Sequence, residues 1–463
     1  MANAFSTAKP SVMTEELIAA RIERLPPSGW YARMMLIVGM AGFFDAFDAL
    51  TIAFVVPALI GLWHLAPQDI GPKIGLLISI GYVGQLIGAV ALSYIAETFG
   101  RLRVLRWSVA VIGIMSIACA LSWSYTSLFW FRFIQGLGLG AEVPIAATYM
   151  NEFTRAALRG RLIVLFQAIF AFGVMATAFV SIWVVPHLGW QWMFVIGALP
   201  ALLAIWLRRL VPESPRWLAH VARLAEADAA LSKIEGSLVE TGRTLPPLPA
   251  GIPPIMKEAV HWTELFGRVY LGRTITAWFI AFSASFVGYG LLVWLPTLYR
   301  TVYHLPLNQT LQYAFISYFV GLFGTLSGVP LIDRFGRKPT YVLSFLGAGI
   351  PLLALWLLGT PGLSVVVLLA SVALFFISIL LGGIYVYLPE IYPTRMRALG
   401  AGTATAWYRL ASIVGPPVVG LILSGVGIGG VFVAFGLAGI FGAAIVALFA
   451  IETRGRVLET IAH

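Results

Sequence analysis

Residues 97–101 read Glu-Thr-Phe-Gly-Arg, and residues 333–337 read Asp-Arg-Phe-Gly-Arg. The two stretches lie 236 residues apart (333 − 97), and other pairs keep nearly that spacing. Glu152 stands seven residues before Arg159 and Glu390 seven before Arg397, an offset of 238 (390 − 152). Glu213 and Glu452 lie 239 apart (452 − 213), as do Pro57 and Pro296 (296 − 57). The chain is therefore two copies of one half-length unit. Such a duplication in a hydrophobic chain predicts two similar helical bundles related by a pseudo-two-fold axis.

Composition sets the solvent. Of the 463 residues, 60% are apolar and only 11% charged, against about 25% charged in a soluble domain. That is too little polar surface to cover a soluble globule of this size, so lipid must solvate most of it. The 15 Trp suit interfacial anchoring as well as packing. The net charge of +10 is topological in origin. Basic residues cluster at Arg101/Arg103/Arg106, Arg155/Arg159/Arg161, Arg334/Arg337/Lys338, Arg395/Arg397 and Arg454/Arg456, and nine more fall from Arg208 to Arg273. The alternate connections hold only Lys73 and Arg300. This alternation is the positive-inside pattern, and it predicts a multi-pass protein of the inner (plasma) membrane with both termini cytoplasmic. No basic motif for nucleic acid is present. Cys119 is the only cysteine, which excludes a disulfide framework or a thiol metal site. Six scattered His, no metal-ligand spacing and no phosphate loop leave no basis for an enzyme, a catalytic residue, a metal or a cofactor.

Residues 1–33 form the expected cytoplasmic tail, with a short amphipathic helix over 14–24 and no apolar core of a signal peptide. Apolar segments long enough to span about 30 Å follow. They are 34–62, 74–96, 104–123, 128–151, 162–186 and 192–210, then 273–299, 311–332, 340–359, 363–388, 399–423 and 430–451. The expected fold is thus all-α, with 12 transmembrane helices in two six-helix bundles at 34–210 and 273–451. Residues 211–272 read as a cytoplasmic linker with a helical run over 219–235, and 452–463 as a cytoplasmic tail. Gly136, Gly138 and Gly140 predict a close helix approach, and Pro144, Pro330, Pro416 and Pro417 predict kinks.

An ionisable side chain at mid-bilayer costs roughly 2.5–3.5 kcal/mol, and this chain keeps Asp45, Asp48, Arg132, Glu142 and Arg409 inside its spans. Asp45 and Asp48, three apart, share a helix face and repel in low dielectric. A carboxyl exchanging a proton near neutral pH is what a proton-coupled carrier needs, and Asp48 is preferred over Asp45 for that role. The alternative is an ion pair that merely neutralises the helix. Arg132 is expected to pair with Asp48, and Glu142 either shares in the proton relay or bonds within the helix before Pro144. Arg409 sits ten residues into its span with no acid in that span. Its fork suits a carboxylate, either of a substrate or of another helix. Tyr289, Trp294 and Tyr299 around Pro296, with Gln167 and Tyr385, are candidate substrate contacts beside their packing role. Glu97 with Arg101 and Asp333 with Arg337 read as a cytoplasmic gate, with Glu152/Arg159 and Glu390/Arg397 as partners across the halves. Exposed pairs are worth only about 0–1 kcal/mol each, yet a network can bias a balanced equilibrium.

The chain resembles a major facilitator superfamily transporter over essentially its full length. The resemblance rests on Glu97–Arg101 and its repeat Asp333–Lys338, on Arg132-Phe133-Ile134-Gln135-Gly136 with Gly140, and on Pro212-Glu213-Ser214-Pro215-Arg216-Trp217. One departure is that Ser93 and Val329 stand where the family's loop signature opens with Gly. Asp45-Ala46-Phe47-Asp48 is similar to the acidic signature of aromatic acid:proton symporters, and 403–414 to the region holding the substrate Arg of organic-anion transporters. Residues 132–235 resemble the branch of nicotinate transporters and synaptic-vesicle-glycoprotein type proteins. The resemblance implies proton-coupled uptake of a small aromatic or pyridine carboxylate, nicotinate first, by alternating access in a monomer. Its partners would be a small organic anion, protons and the lipid bilayer. Two other readings fit the same scaffold. A uniporter or exporter of sugars or drugs would keep net uptake after Asp48→Asn, and a transport-dead receptor would bind ligand without flux.

Overall fold

The computed structural model describes residues 14–26, 28–154, 156–202, 212–242, 244–248, 261–359, 361–393 and 396–454. The described residues form helices with no strands. In chain order they are α1 (Glu15–Glu23), α2 (Gly29–Leu62), α3 (Pro67–Phe99), α4 (Arg101–Ala120), α5 (Tyr125–Phe153), α6 (Ala156–His187), α7 (Gln191–Gly197), α8 (Pro215–His220) and α9 (Leu224–Glu240). After a 3-10 turn at Trp262–Phe266 come α10 (Leu271–Val302), α11 (Leu307–Phe335), α12 (Arg337–Leu357), α13 (Leu363–Glu390), α14 (Arg397–Gly425) and α15 (Ile428–Phe449). Among the described residues, nine helices are long and apolar enough to cross a membrane. The second part of the predicted sixth span, 203–210, lies outside the described residues.

The two repeated loops are built alike. Gly100 and Gly336 sit at φ 101° and 97°, a conformation that glycine adopts without strain. Each loop glycine leaves room for a carboxylate, since a Cβ would strike Glu213 at Gly100 and Glu452 at Gly336. Glu213 accepts the amide of Leu102 at 3.0 Å. Glu452 accepts those of Arg337 at 3.0 Å and Lys338 at 2.9 Å. The two acids thus satisfy orphan donors at the N-termini of α4 and α12, where the helix dipole also favours a negative charge.

Burial works against the charge of Glu452, but the amides of Arg454, Arg337, Lys338 and Thr453 together hold its carboxyl below the ordinary range. A depressed carboxyl stabilises the fold above its unfolded pKa, and that contribution disappears as pH falls through the folded value. Glu452→Gln is therefore expected to lower the melting temperature at pH 7 by about 1 °C, for a loss of about 1 kcal/mol after solvent screening in a chain of 463 residues. The gap to wild type should close below about pH 4, as followed by scanning fluorimetry in detergent.

The linker run predicted over 219–235 is two helices rather than one. Ala222 takes φ 60°, and the amide of Arg223 turns back to the Leu218 carbonyl, so the chain breaks between α8 and α9. The amphipathic start is present as α1, capped by the Thr14 hydroxyl on the Leu17 amide. It buries Ile18 and Ile22 against Trp217, Leu231 and Leu238. Arg21 pairs with Asp228 and Glu235, and Arg24 with Glu235. Trp217 donates to the Glu97 carbonyl at 2.8 Å, which ties this small module to the base of α3.

Glycines bring backbones together as expected. Gly136 faces Gly81 and Gly84, Gly140 meets Gln85, and Gly138 packs on Ser108 and Ile112. The two halves also touch through small residues. Gly71 lies on Gly420, and Gly75 on Pro416 and Pro417. Pro296 and Pro417 each deprive a carbonyl four residues earlier of its helical donor. The Tyr318 hydroxyl donates to the freed Leu292 carbonyl within the second half. The Ser79 hydroxyl donates to the freed Ile413 carbonyl across the two halves.

Candidate functional site

Between the halves lies a cavity of about 280 Å³. Its walls come from α2, α3, α5 and α6 on one side and from α10, α11, α13 and α14 on the other. Apolar residues such as Phe170, Val174 and Leu374 cover much of it, and Asp45, Gln85 and Arg409 are among its polar groups. There Arg409 of α14 donates to the Gln85 amide oxygen of α3 at 2.6 Å, a bond that crosses the halves. Asp45, 7% exposed, lines the same cavity from α2 and lies within electrostatic reach of Arg409.

Four tyrosines surround this charge. The rings of Tyr82 and Tyr289 meet edge-on at 5.7 Å, those of Tyr289 and Tyr408 at 5.8 Å, and Tyr385 lies 5.9 Å from Tyr408. Gln167 adds an amide from α6. The arrangement offers one guanidinium, two amides and aromatic edges around a slot, a set of donors matched to a flat anion.

Asp48 does not line the cavity. It is fully buried inside the first half, where its Oδ1 accepts from Ser116 and Gln135 at 3.2 Å each. The expected Asp48–Arg132 carboxylate pair takes another form. Arg132 reaches the Asp48 main-chain carbonyl at 3.3 Å and the Gln135 amide oxygen at 2.6 Å, so Gln135 stands between the two charges. Helix phase explains the split: residues 45 and 48 differ by roughly 60° around the axis, enough to turn one carboxyl to the cavity and the other into the bundle. Glu142 is buried on α5, in electrostatic range of both aspartates.

Trp294 and Tyr299 also lie away from the cavity. Trp294 is fully buried in the core, and Tyr299 bonds to Ser317 at 3.3 Å. Five residues beyond Tyr289, Trp294 points roughly 140° away around the helix, and Tyr299 is a further turn and more along it. Sequence reasoning missed Tyr82, Gln85 and Tyr408. Gln85 left a signal, being a lone amide in an apolar span with Tyr82 three residues before it on the same face.

The loop charges pair inside their own halves. Arg101 holds Glu97 at 2.9 Å and Glu152 at 3.0 Å. Arg337 holds Glu390 at 2.9 Å and Asp333 at 3.5 Å. Glu152 is engaged by Arg101, and Glu390 by Arg337 and the Thr453 hydroxyl. The side chain of Arg159 lies outside the described residues, and Arg397 opens α14. Equivalent triads are built twice, once per bundle, from residues 236–238 apart.

Comparison with known proteins agrees with this geometry. The profile of the sugar (and other) transporter family matches residues 34–463. A niacin transporter, NiaP, of Acinetobacter baylyi is 33% identical over 96% of this chain and 99% of its own length. A putative niacin/nicotinamide transporter of Bacillus subtilis is 30% identical over 84% of this chain and 88% of its own. Among solved structures, the partially occluded inward-open xylose transporter XylE of E. coli matches with a TM-score of 0.74 at 22% identity. That match covers 93% of this chain and all of the other.

Proposed function

The chain belongs to the sugar (and other) transporter family, with the major facilitator fold, and from that premise we propose that it carries a small aromatic or pyridine carboxylate, nicotinate first, together with protons. It is a multi-pass membrane transporter. Its substrate is read from the cavity and from the two niacin-transporter relatives.

The observation that carries this reading is Arg409, set inside a tyrosine-lined cavity with a neutral amide as its hydrogen-bond acceptor. A carboxylate that displaces Gln85 exchanges a neutral acceptor for a charged one, and charge-assisted bonds are roughly twice as strong. The tyrosine rings then stack on or edge against the pyridine plane.

Proton coupling is assigned to Asp45 first. While ionised, Asp45 competes with a substrate carboxylate for the field of Arg409. When protonated, it leaves that field to the substrate, so proton and anion enter the cavity as a pair. Asp48, Arg132 and Glu142 lie behind it as a second rank of charges that the same proton can reach. The bundles at 34–210 and 273–451 are the rocking bodies, and the loop triads of Arg101 and Arg337 are the cytoplasmic gate. Contacts between the halves run from Gly71–Gly420 to Gln85–Arg409, on the side away from these loops. With the basic loops cytoplasmic, this is an inward-facing arrangement in the plasma membrane.

The deciding assay is uptake of radiolabelled nicotinate into proteoliposomes under an inward proton gradient. Accumulation above equilibrium, abolished by a protonophore, is the expected result. Accumulation indifferent to the protonophore would remove symport. No uptake with retained nicotinate binding would make the protein a receptor.

A further inference from the structure

Tyr82 lines the central cavity from α3 and is only 4% exposed. Its hydroxyl is closed off from solvent and makes no hydrogen bond. Among the described residues, it is the one cavity-lining side chain whose buried polar atom lacks a partner. The hydroxyls of Tyr289, Tyr385 and Tyr408 couple to one another instead. An orphan hydroxyl in a dry interior costs stability, and folded proteins keep few of them without a use.

The neighbourhood narrows that use. The Tyr82 hydroxyl lies within electrostatic reach of Arg132, Arg409 and Asp45. Arg132 is held by the Asp48 carbonyl and Gln135. Arg409 is the group that meets a substrate carboxylate. Gln85, three residues after Tyr82 on the same face of α3, now accepts from Arg409 at 2.6 Å. A carboxylate that takes Arg409 from Gln85 loosens the face on which Tyr82 stands. Nicotinate then has one acceptor besides its carboxylate, the ring nitrogen.

We infer that the Tyr82 hydroxyl donates to the ring nitrogen of the substrate, and so selects pyridine carboxylates over benzene carboxylates. The inference rests on the carboxylate reading of Arg409 and deepens it. Benzoate offers the same anion to Arg409 but a C–H where nicotinate has a lone pair. It leaves the hydroxyl orphaned, and a site with a buried donor discriminates against the analogue that lacks the matching acceptor. Without the hydroxyl the order reverses, because a pyridine nitrogen buried without a donor loses its hydration and a ring carbon does not.

Competition of unlabelled benzoate and unlabelled nicotinate against radiolabelled nicotinate, on the purified full-length protein, tests this. Wild type is expected to bind nicotinate about tenfold or more tighter than benzoate. Tyr82→Phe should weaken nicotinate, spare benzoate and bring the ratio to about one or below. Without ligand, Tyr82→Phe should melt at or above the wild-type temperature, since the oxygen removed has no partner. A melting temperature well below wild type would show that the resting fold already uses the hydroxyl, and overturns the assignment. So does an equal loss for both acids, which would place the hydroxyl on the carboxylate. A ratio unchanged in Tyr82→Phe but erased in Gln167→Leu moves the ring-nitrogen contact to α6. Wild type that binds neither acid overturns the carboxylate reading itself, and this assignment with it.

Discussion

Arg409→Gln is expected to weaken nicotinate binding about 100-fold or more and to reduce transport to background. Removing one partner of a buried charge pair costs about 2–5 kcal/mol, and each 1.4 kcal/mol is tenfold. Gln keeps a polar donor on a shorter, uncharged side chain, so the folded cavity should survive while the charge does not. Arg409→Lys should fall between, because an ammonium keeps the charge without the planar fork. Scintillation-proximity binding of nicotinate, with nicotinamide as the uncharged comparison, measures this directly. The discriminating quantity is the ratio between the two ligands. If Arg409 holds the carboxylate, the preference for nicotinate over nicotinamide collapses in the variant. A variant with wild-type affinity and preference would show that the guanidinium serves only the Gln85 contact between the halves.

Asp45→Asn is expected to separate exchange from accumulation. Asn occupies the same volume as the protonated carboxyl and carries no titrating group. The variant should exchange internal for external nicotinate at a rate near wild type, yet lose at least about tenfold in gradient-driven accumulation, since it no longer needs a proton to release the field of Arg409. Its uptake should lose the acid stimulation of the wild type. Asp48→Asn, made alongside, tests the ranking. Asp48 is sealed beneath Ser116 and Gln135, so this change should alter stability and rate more than coupling. Uncoupling by Asp48→Asn with intact coupling in Asp45→Asn would reverse the assignment and make the buried cluster the proton site.

The fold was legible because its evidence is arithmetic. The spacing of Glu97/Asp333, Glu152/Glu390 and Glu213/Glu452 survives any ambiguity in helix boundaries. A further repeat went unread: Trp63-His64-Leu65 and Tyr303-His304-Leu305 end the first helix of each half, with His64 and His304 at φ 47° and 49°. Within the site, Arg409 and Asp45 were legible because a charge in an apolar span declares itself by cost. Direction was not. Whether Asp45 or Asp48 meets the cavity, and whether Tyr289 or Trp294 does, depends on helix rotation, which neighbouring helices set and a single span does not encode. The neighbours of the gate acids depend on packing in a related way. Charge complementarity allows Glu390 to meet any of several arginines, and the packing of α12 beside α13 brings it to Arg337.

Ser79 and Tyr318 stand at equivalent places in the two halves, 239 apart (318 − 79), and each supplies a hydroxyl to a carbonyl orphaned by proline. Their fates differ when the bundles rock. Tyr318 travels with its acceptor, whereas parting α3 from α14 strips Ile413 of the hydroxyl that replaces its missing amide. The exterior-facing form must therefore recruit a solvent molecule at that kink, which makes the two faces of the cycle unequal in hydration and leaves their balance sensitive to osmotic stress.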